Sequence, residues 1–334
     1  LIRGGYGRFY DKIFLLVARN ALLARQSVSL SGANATAQFA RGAFPESDQL
    51  PSGFTLTRPS INKADPEMQI PYIDQVSLGV ERQIATNWSA GVNFVRNWGT
   101  ATLVSDNTNL GPPTVLTAAN AASLGVANPN PQQIGRPYYG ATNRLDPLYN
   151  NIQMVSSSGW SEYYGFQFTL QKRLADGYSL RVNYILSEAR DDGSDFTQAE
   201  QPNDPYNRRA ERSYSAEHQR HRVTVTGVWE LPYGQDEGAD MNPAARALLG
   251  GWTLSSTFTY RSATAENPVV GSDVNTDGNS STDRPFINGV MAGRNSYEGG
   301  NFASVNARLS KRFRFDRRRA LLLQLEAFNL LNRT

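Results

Sequence analysis

Residues 161–186 read SEYYGFQFTLQKRLADGYSLRVNYIL and constrain the fold more than any other stretch. Tyr164, Phe166, Phe168, Leu170 and Leu174 share one parity, while Gly165, Gln167, Thr169, Gln171 and Arg173 share the other. After Ala175-Asp176-Gly177 the alternation resumes, with Tyr178, Leu180, Val182, Tyr184 and Leu186 against Ser179, Arg181 and Asn183. Successive side chains of a strand point to opposite faces, so a period of two on both sides of a three-residue Asp/Gly turn predicts a β-hairpin. Each arm runs about ten residues, longer than the roughly five or six of a globular strand and close to the nine to eleven tilted residues that cross a bilayer.

The unit recurs. Residues 2–10 read as a Gly-rich aromatic strand. Val76, Leu78 and Val80 alternate with Ser77, Gly79 and Glu81, and after a short Ala-Thr-Asn turn Trp88, Ala90, Val92 and Phe94 alternate with Ser89, Gly91 and Asn93. Further strands are expected at Val223–Leu231, Trp252–Tyr260, Val305–Phe315 and Leu321–Ala327. Asp11–Arg25 has helical spacing at Ile13, Phe14, Val17 and Leu22, and a short helix is expected in 233–250, with Asn242 as N-cap, Pro243 at the first position and Gly250 as the stop. About nine strands result, joined alternately by short turns and by polar connections of tens of residues, which are rare inside compact soluble domains. Short turns at one rim and long loops at the other describe an antiparallel transmembrane β-barrel, all-β, with periplasmic turns and extracellular loops. Trp88, Tyr178 and Trp252 each open a strand just after a connection on the short side, the one before Trp252 being of moderate length, where an interfacial aromatic girdle belongs.

Composition narrows the function classes. With 33 Lys+Arg against 30 Asp+Glu, no strong field points to nucleic acid, which is not expected as a partner. The absence of cysteine excludes disulfides, thiolate metal sites and thiol catalysis. No apolar run is long enough for a transmembrane helix, and a mean hydropathy of −0.47 suits a barrel with one apolar and one polar face as well as a soluble chain. The chain opens on Leu1 already within a strand and closes on FNLLNRT, so it is expected to be part of a longer protein.

Several segments, in order, resemble the barrel of TonB-dependent outer-membrane receptors, particularly the Oar-like branch with carboxypeptidase-regulatory-like N-terminal domains. They are RGGYGRFYD (3–11), SEYYGFQFTLQKRLADGYSLRVNYILSEARDD (161–192), HRVTVTGVWELPYG (221–234), GGWTLSSTFTYRS (250–262), DVNTDGNSSTDRP (273–285) and LEAFNLLNR (325–333). The resemblance implies that residues 1–334 are the C-terminal part of a barrel of about 22 strands, without the plug domain that fills it. It also implies a place in the bacterial cell outer membrane, among its lipids, and energy-gated import of a bulky scarce solute. The TonB complex would be engaged through an N-terminal part outside this chain. A passive porin-like channel and a soluble β-rich binding or adhesion protein are the alternatives.

No catalytic constellation emerges, and the chain is not expected to be an enzyme. Asp191, Asp192 and Asp195 read as solvated loop carboxylates, His218 and His221 fall on opposite sides of an expected strand, and GGYG at 4–7 follows no βαβ pattern. The one cofactor the sequence offers is calcium: Asp273, Asn275 and Asp277 followed by Gly278 match the front of an EF-hand loop, with Asp283 as a substitute ligand. Position 12 of that pattern is Arg284, and a solvated turn of self-capping Asx side chains is the competing account. Gln167, Thr169, Arg173, Arg181, Asn183, Thr224, Thr226 and Glu230 are expected to line the lumen. The ligand-binding residues are unknown; contacts are expected from the long loops, which carry Tyr138, Tyr139, Tyr149, Tyr206, Tyr214 and Tyr297.

Overall fold

The structure, a computed structural model, describes residues 1–13, 15, 17, 58–233, 242–315 and 318–333. Among the described residues nine long strands form one antiparallel meander in which each pairs with the next in sequence. They are β1 (Ile2–Tyr10), β2 (Tyr72–Ala85), β3 (Trp88–Asn107), β4 (Ile152–Ala175), β5 (Tyr178–Asp191), β6 (His221–Glu230), β7 (Trp252–Arg261), β8 (Phe302–Arg314) and β9 (Ala320–Ala327). Two short strands, Ile61–Ala64 and Ser213–Tyr214, add to β4 and β5 near the long-loop rim. Among the described residues β1 and β9 are each paired along one side only.

Register carries the period-two pattern across the whole sheet. One row runs Val80–Val92–Phe168–Tyr184–Val223–Tyr260–Ala303. The adjacent row on the opposite face runs Thr169–Asn183–Thr224–Thr259–Ser304. The apolar face is bare: Leu78, Val80, Val92, Phe166, Phe168 and Trp229 are all exposed, and no second sheet packs over them among the described residues. A sandwich would bury such a face against a partner sheet, so the pattern suits a bilayer as solvent.

The turns explain the register. Asp176 and Gly177 have φ of 54° and 78°, so the β4–β5 connection is a two-residue turn rather than the three-residue one expected. Both central residues at positive φ match the right-handed twist of a hairpin, and Ala175 joins β4 after an irregularity between Lys172 and Ala175. The expected helix is present as α1 (Pro243–Leu249), with the Asn242 side chain accepting from the Ala245 N–H at 2.7 Å. Gly251 then turns into β7 at φ 70°, where a Cβ would stand 2.8 Å from the Arg312 carbonyl oxygen. The helical spacing at Asp11–Arg25 lies largely outside the described residues, and the turn expected at Asp316–Arg318 between the last two strands lies outside them but for Arg318.

Two strands overshoot their sequence pattern. β3 continues to Asn107 and β4 begins at Ile152, so this pair extends well past the alternating apolar segment. The extension shows no apolar period.

Candidate functional site

Three features of this sheet bear on function: its two rims, its polar face and the loops folded at one end. At the short-turn rim Trp88, Tyr178 and Trp252 are the first residues of β3, β5 and β7 and share the apolar face, as expected of a girdle. Lysines join them there. Lys172 lies on the apolar parity in register with Trp88 and Leu180. Its ammonium sits 3.7 Å from the centroid of the Tyr178 ring and donates to the carbonyls of Ala175 and Tyr178. Lys311, opposite Trp252, stands over the Trp252 and Phe313 rings and donates to the Gly250 carbonyl. Sequence reading passed over both, because a lysine in an apolar row reads as an interruption; its signal was the aromatic one register step away. A long aliphatic stem with a charged tip turned toward the rim is snorkelling.

About ten residues above this rim the apolar parity turns polar again: Trp98 and Arg96 on β3, Glu162 on β4, and Glu188 and Arg190 on β5. Ten residues at about 3.3 Å each, tilted about 45°, span roughly 23 Å, close to the ~25 Å apolar band of an outer-membrane barrel.

The polar face is a wall of short polar and charged groups. Gln167, Thr169, Arg173, Arg181, Asn183, Thr224, Thr226 and Glu230 all fall on it, as expected. Arg3 pairs with Glu81 at 2.8 Å and Arg308 with Glu326 at 2.7 Å, and Arg181 donates to Gln171 at 2.9 Å. Hollows of about 360 and 370 Å³ lie along this face and meet at Gln171 and Arg181.

The long loops after β3, β5 and β7 form a cap built on buried polar groups. A small apolar nucleus of Leu116, Ala121 and Tyr138 lies in the connection after β3. The 273–285 loop contacts each of its neighbours in the cap. Asn275, Asp277, Asn279, Thr282, Asp283 and Arg284 are all buried, so the expectation of a solvated turn is corrected. Its backbone is the shared acceptor of the neighbouring loops: Tyr139 N–H donates to the Asn275 carbonyl at 2.9 Å, Asn107 Nδ2 to Asp277 at 3.1 Å and Asn151 Nδ2 to Gly278 at 3.3 Å. The Asn275 amide donates to the Asn203 carbonyl at 3.3 Å, tying in the connection after β5. Arg284 forms a buried bidentate pair with Glu211 at 2.6 and 2.9 Å. Buried Arg294 pairs with Asp191 and, at 3.1 Å, with Glu200. Asp191 and Asp192 are therefore buried partners within the cap, not solvated loop acids; Asp195 is exposed.

The four residues expected to ligate calcium do come together in this loop, each facing backbone. Asp273 Oδ2 accepts from Gly278 N–H, Asn275 Oδ1 from Asp277 N–H, Asp277 Oδ1 from Asn279 N–H and Asp283 Oδ2 from Val274 N–H, all between 2.6 and 2.9 Å. This is the self-capping half of the Asx-turn account. Burial, then the charges of Asp273 and Asp283, push the Asp277 carboxyl up to about 8. Burial raises Asp283 to about 6, although its backbone donors and Arg136, 3.4 Å away, hold it down. Among the described residues no group of three or more His, Asp or Glu is disposed to hold a metal ion.

The remaining candidates are dispersed. His218 is buried and stacked on Tyr214, while His221 Nδ1 meets Tyr184 Oη at 2.9 Å, so the two histidines serve different neighbours. Tyr138 and Tyr139 are buried in the cap, the latter donating to Asp204 at 2.9 Å, and Tyr206 donates to the Leu110 carbonyl at 2.7 Å. Tyr297 is half exposed.

A family model described as an outer membrane beta barrel domain matches residues 1–292. No curated protein matches the sequence. Among solved structures, the outer membrane transporter YddB from Escherichia coli aligns at 11% identity and a TM-score of 0.48, covering 99% of this chain and 35% of its own. A mutant ferric enterobactin receptor of Pseudomonas aeruginosa in complex with enterobactin aligns at 13% identity and a TM-score of 0.41, with 82% and 28% covered. The ferripyoverdine receptor of the same organism aligns at 8% identity and a TM-score of 0.39, with 80% and 24% covered. The chain thus spans about a third or less of the length of these proteins.

Proposed function

Because this chain belongs to the outer membrane beta barrel domain family, and so lies in an outer membrane, we propose that it is part of the barrel wall of a TonB-dependent importer of the Oar-like branch. The chain is a membrane barrel segment, not an enzyme. Its polar face would line a lumen that a plug domain elsewhere in the protein closes, and the energy-transducing complex would act through that domain. The cargo is a bulky scarce solute that meets the loop cap first.

One observation carries the reading: the long connections after β3, β5 and β7 fold into a single cap with buried Arg–carboxylate pairs and a shared Asn/Asp loop. A receptor that must hold a solute before passage benefits from ordered outer loops, whereas a pore that only sieves has less need of them. The two-faced sheet supports the membrane placement, and the ordered resemblance of the sequence supports the branch.

Electrical measurement separates this reading from the porin-like one. Full-length protein reconstituted into planar bilayers should give no lasting open conductance, because its own plug fills the barrel. Steady channels from the intact protein would establish a passive pore instead. Release of the protein from membranes by carbonate wash would favour the soluble adhesion reading.

A further inference from the structure

The polar row at the long-loop rim is not a simple mixture of charges. On the lipid-facing parity Arg8 pairs with Asp74 at 2.8 Å, Arg96 pairs with Glu162, and Glu188 takes Arg190 at 2.6 Å; Arg220, just before β6, also reaches Glu188 at 2.7 Å. Three of these guanidiniums lie over rings as well: Arg8 over Tyr72 at 4.3 Å, Arg96 over Trp98 at 4.5 Å and Arg190 over Tyr214 at 5.3 Å. The partners differ sharply in exposure. Side chains of Arg8, Arg96, Arg190 and Arg220 are 43–50% exposed, whereas Asp74, Glu162 and Glu188 are 9–21% exposed. The carboxylates lie beneath and the guanidiniums outside, so a nearly balanced set of charges presents a cationic surface.

The opposite rim is built otherwise. Lys172 and Lys311 are buried, with their ammoniums turned onto turn carbonyls. Arg82 is an exposed cation there on the same face, with neither ring nor carboxylate paired to it among the described residues.

We propose that the Arg8–Arg96–Arg190–Arg220 belt binds phosphorylated lipid headgroups of the leaflet that meets the long-loop rim. The belt lies about ten residues from the girdle, at headgroup depth. Asp74 and Glu162 hold Arg8 and Arg96 through their Nε and Nη2 groups and Glu188 holds Arg190 and Arg220, so each guanidinium is fixed in place while staying about half exposed, and a planar guanidinium suits phosphate oxygens. The inference rests on the membrane placement and not on transport.

The test uses full-length protein in neutral detergent, titrated with diphosphorylated lipid A or with the same lipid after enzymatic dephosphorylation, and read by native mass spectrometry. The phosphorylated lipid should bind at least tenfold more tightly, and millimolar inorganic phosphate should not compete. Combined Arg8→Gln, Arg96→Gln and Arg190→Gln should weaken binding by more than tenfold, since each basic residue near an anionic surface contributes roughly fivefold. Arg82→Gln should leave it unchanged. Equal binding of both lipids by the unaltered protein would overturn the proposal without reference to any variant, as would full competition by inorganic phosphate.

Discussion

Buried acids in the cap loop set its pH response. Asp277 and Asp283 are both held above the ordinary carboxylate range by burial. A group whose folded-state value is raised binds its proton more tightly in the folded loop, so its stabilisation is complete below the unfolded value near 4 and is lost as pH rises. The window runs from about 4 up to about 8, the value of Asp277. Burial lowers His218, which acts in the other direction, destabilising the cap as pH falls through the ordinary histidine range. Amide hydrogen exchange, corrected for intrinsic rates, should therefore show residues 273–285 better protected at pH 6.5 than at pH 8, and Asp277→Asn should flatten the difference. The same experiment tests calcium binding by Asp273, Asn275, Asp277 and Asp283. Millimolar calcium that restores protection at pH 8 in the parent protein, and not in Asp277→Asn, would support the metal; no response would leave a self-capped loop.

At the level of strands and turns, the two faces make opposite demands. Phe168 lies in the middle of the apolar row and Thr169 on the polar wall beside it. Phe168→Arg should cost about 2–4 kcal/mol of barrel stability, the depth-dependent penalty for arginine facing hydrocarbon, whereas Thr169→Arg should be tolerated. Urea midpoints of the folded, heat-modifiable band in lipid would show which face meets the bilayer, and equal losses would remove the assignment. The turns differ in a similar way. At Gly177 an added Cβ would stand 3.2 Å from the Glu230 carbonyl oxygen, and at Gly251 it would stand 2.8 Å from that of Arg312. Both have positive φ, so alanine is strained at each by about 1 kcal/mol or more, and Gly251→Ala must move backbone as well. The midpoint for Gly251→Ala should fall below that for Gly177→Ala. Strands were readable from sequence wherever one face is apolar and the other polar, because Tyr164–Leu174 and Tyr178–Leu186 then have to alternate. Beyond Trp98 and before Ser161 that demand ends, and β3 and β4 continue on backbone pairing that leaves no periodic trace. The cap was illegible for a related reason: Asn107 meets Asp277, and Arg284 meets Glu211, across long sequence separations with no spacing rule to announce them.

For the whole molecule the open edges matter most. Among the described residues β1 and β9 each have a row of backbone groups facing no other strand. In hydrocarbon each unpaired group costs several kcal/mol, so a spanning sheet has to close. Residues 1–334 expressed alone should not yield a monomeric heat-modifiable band, while the full-length protein should; a stable monomer from the segment would require β1 and β9 to pair with each other. The cap has a further consequence for how such a protein is made. A preassembled bundle of Arg284–Glu211 and Arg294–Asp191 pairs, wrapped around buried asparagines, is far too polar to be pushed through a bilayer as a unit. With the long loops outside, as the proposed function places them, loops 108–151, 192–220 and 262–301 would have to cross as loose chain and find one another only on the far side. Biogenesis under that reading would run from the inside of the cell outward, with the hairpins seated first and the roof closed last.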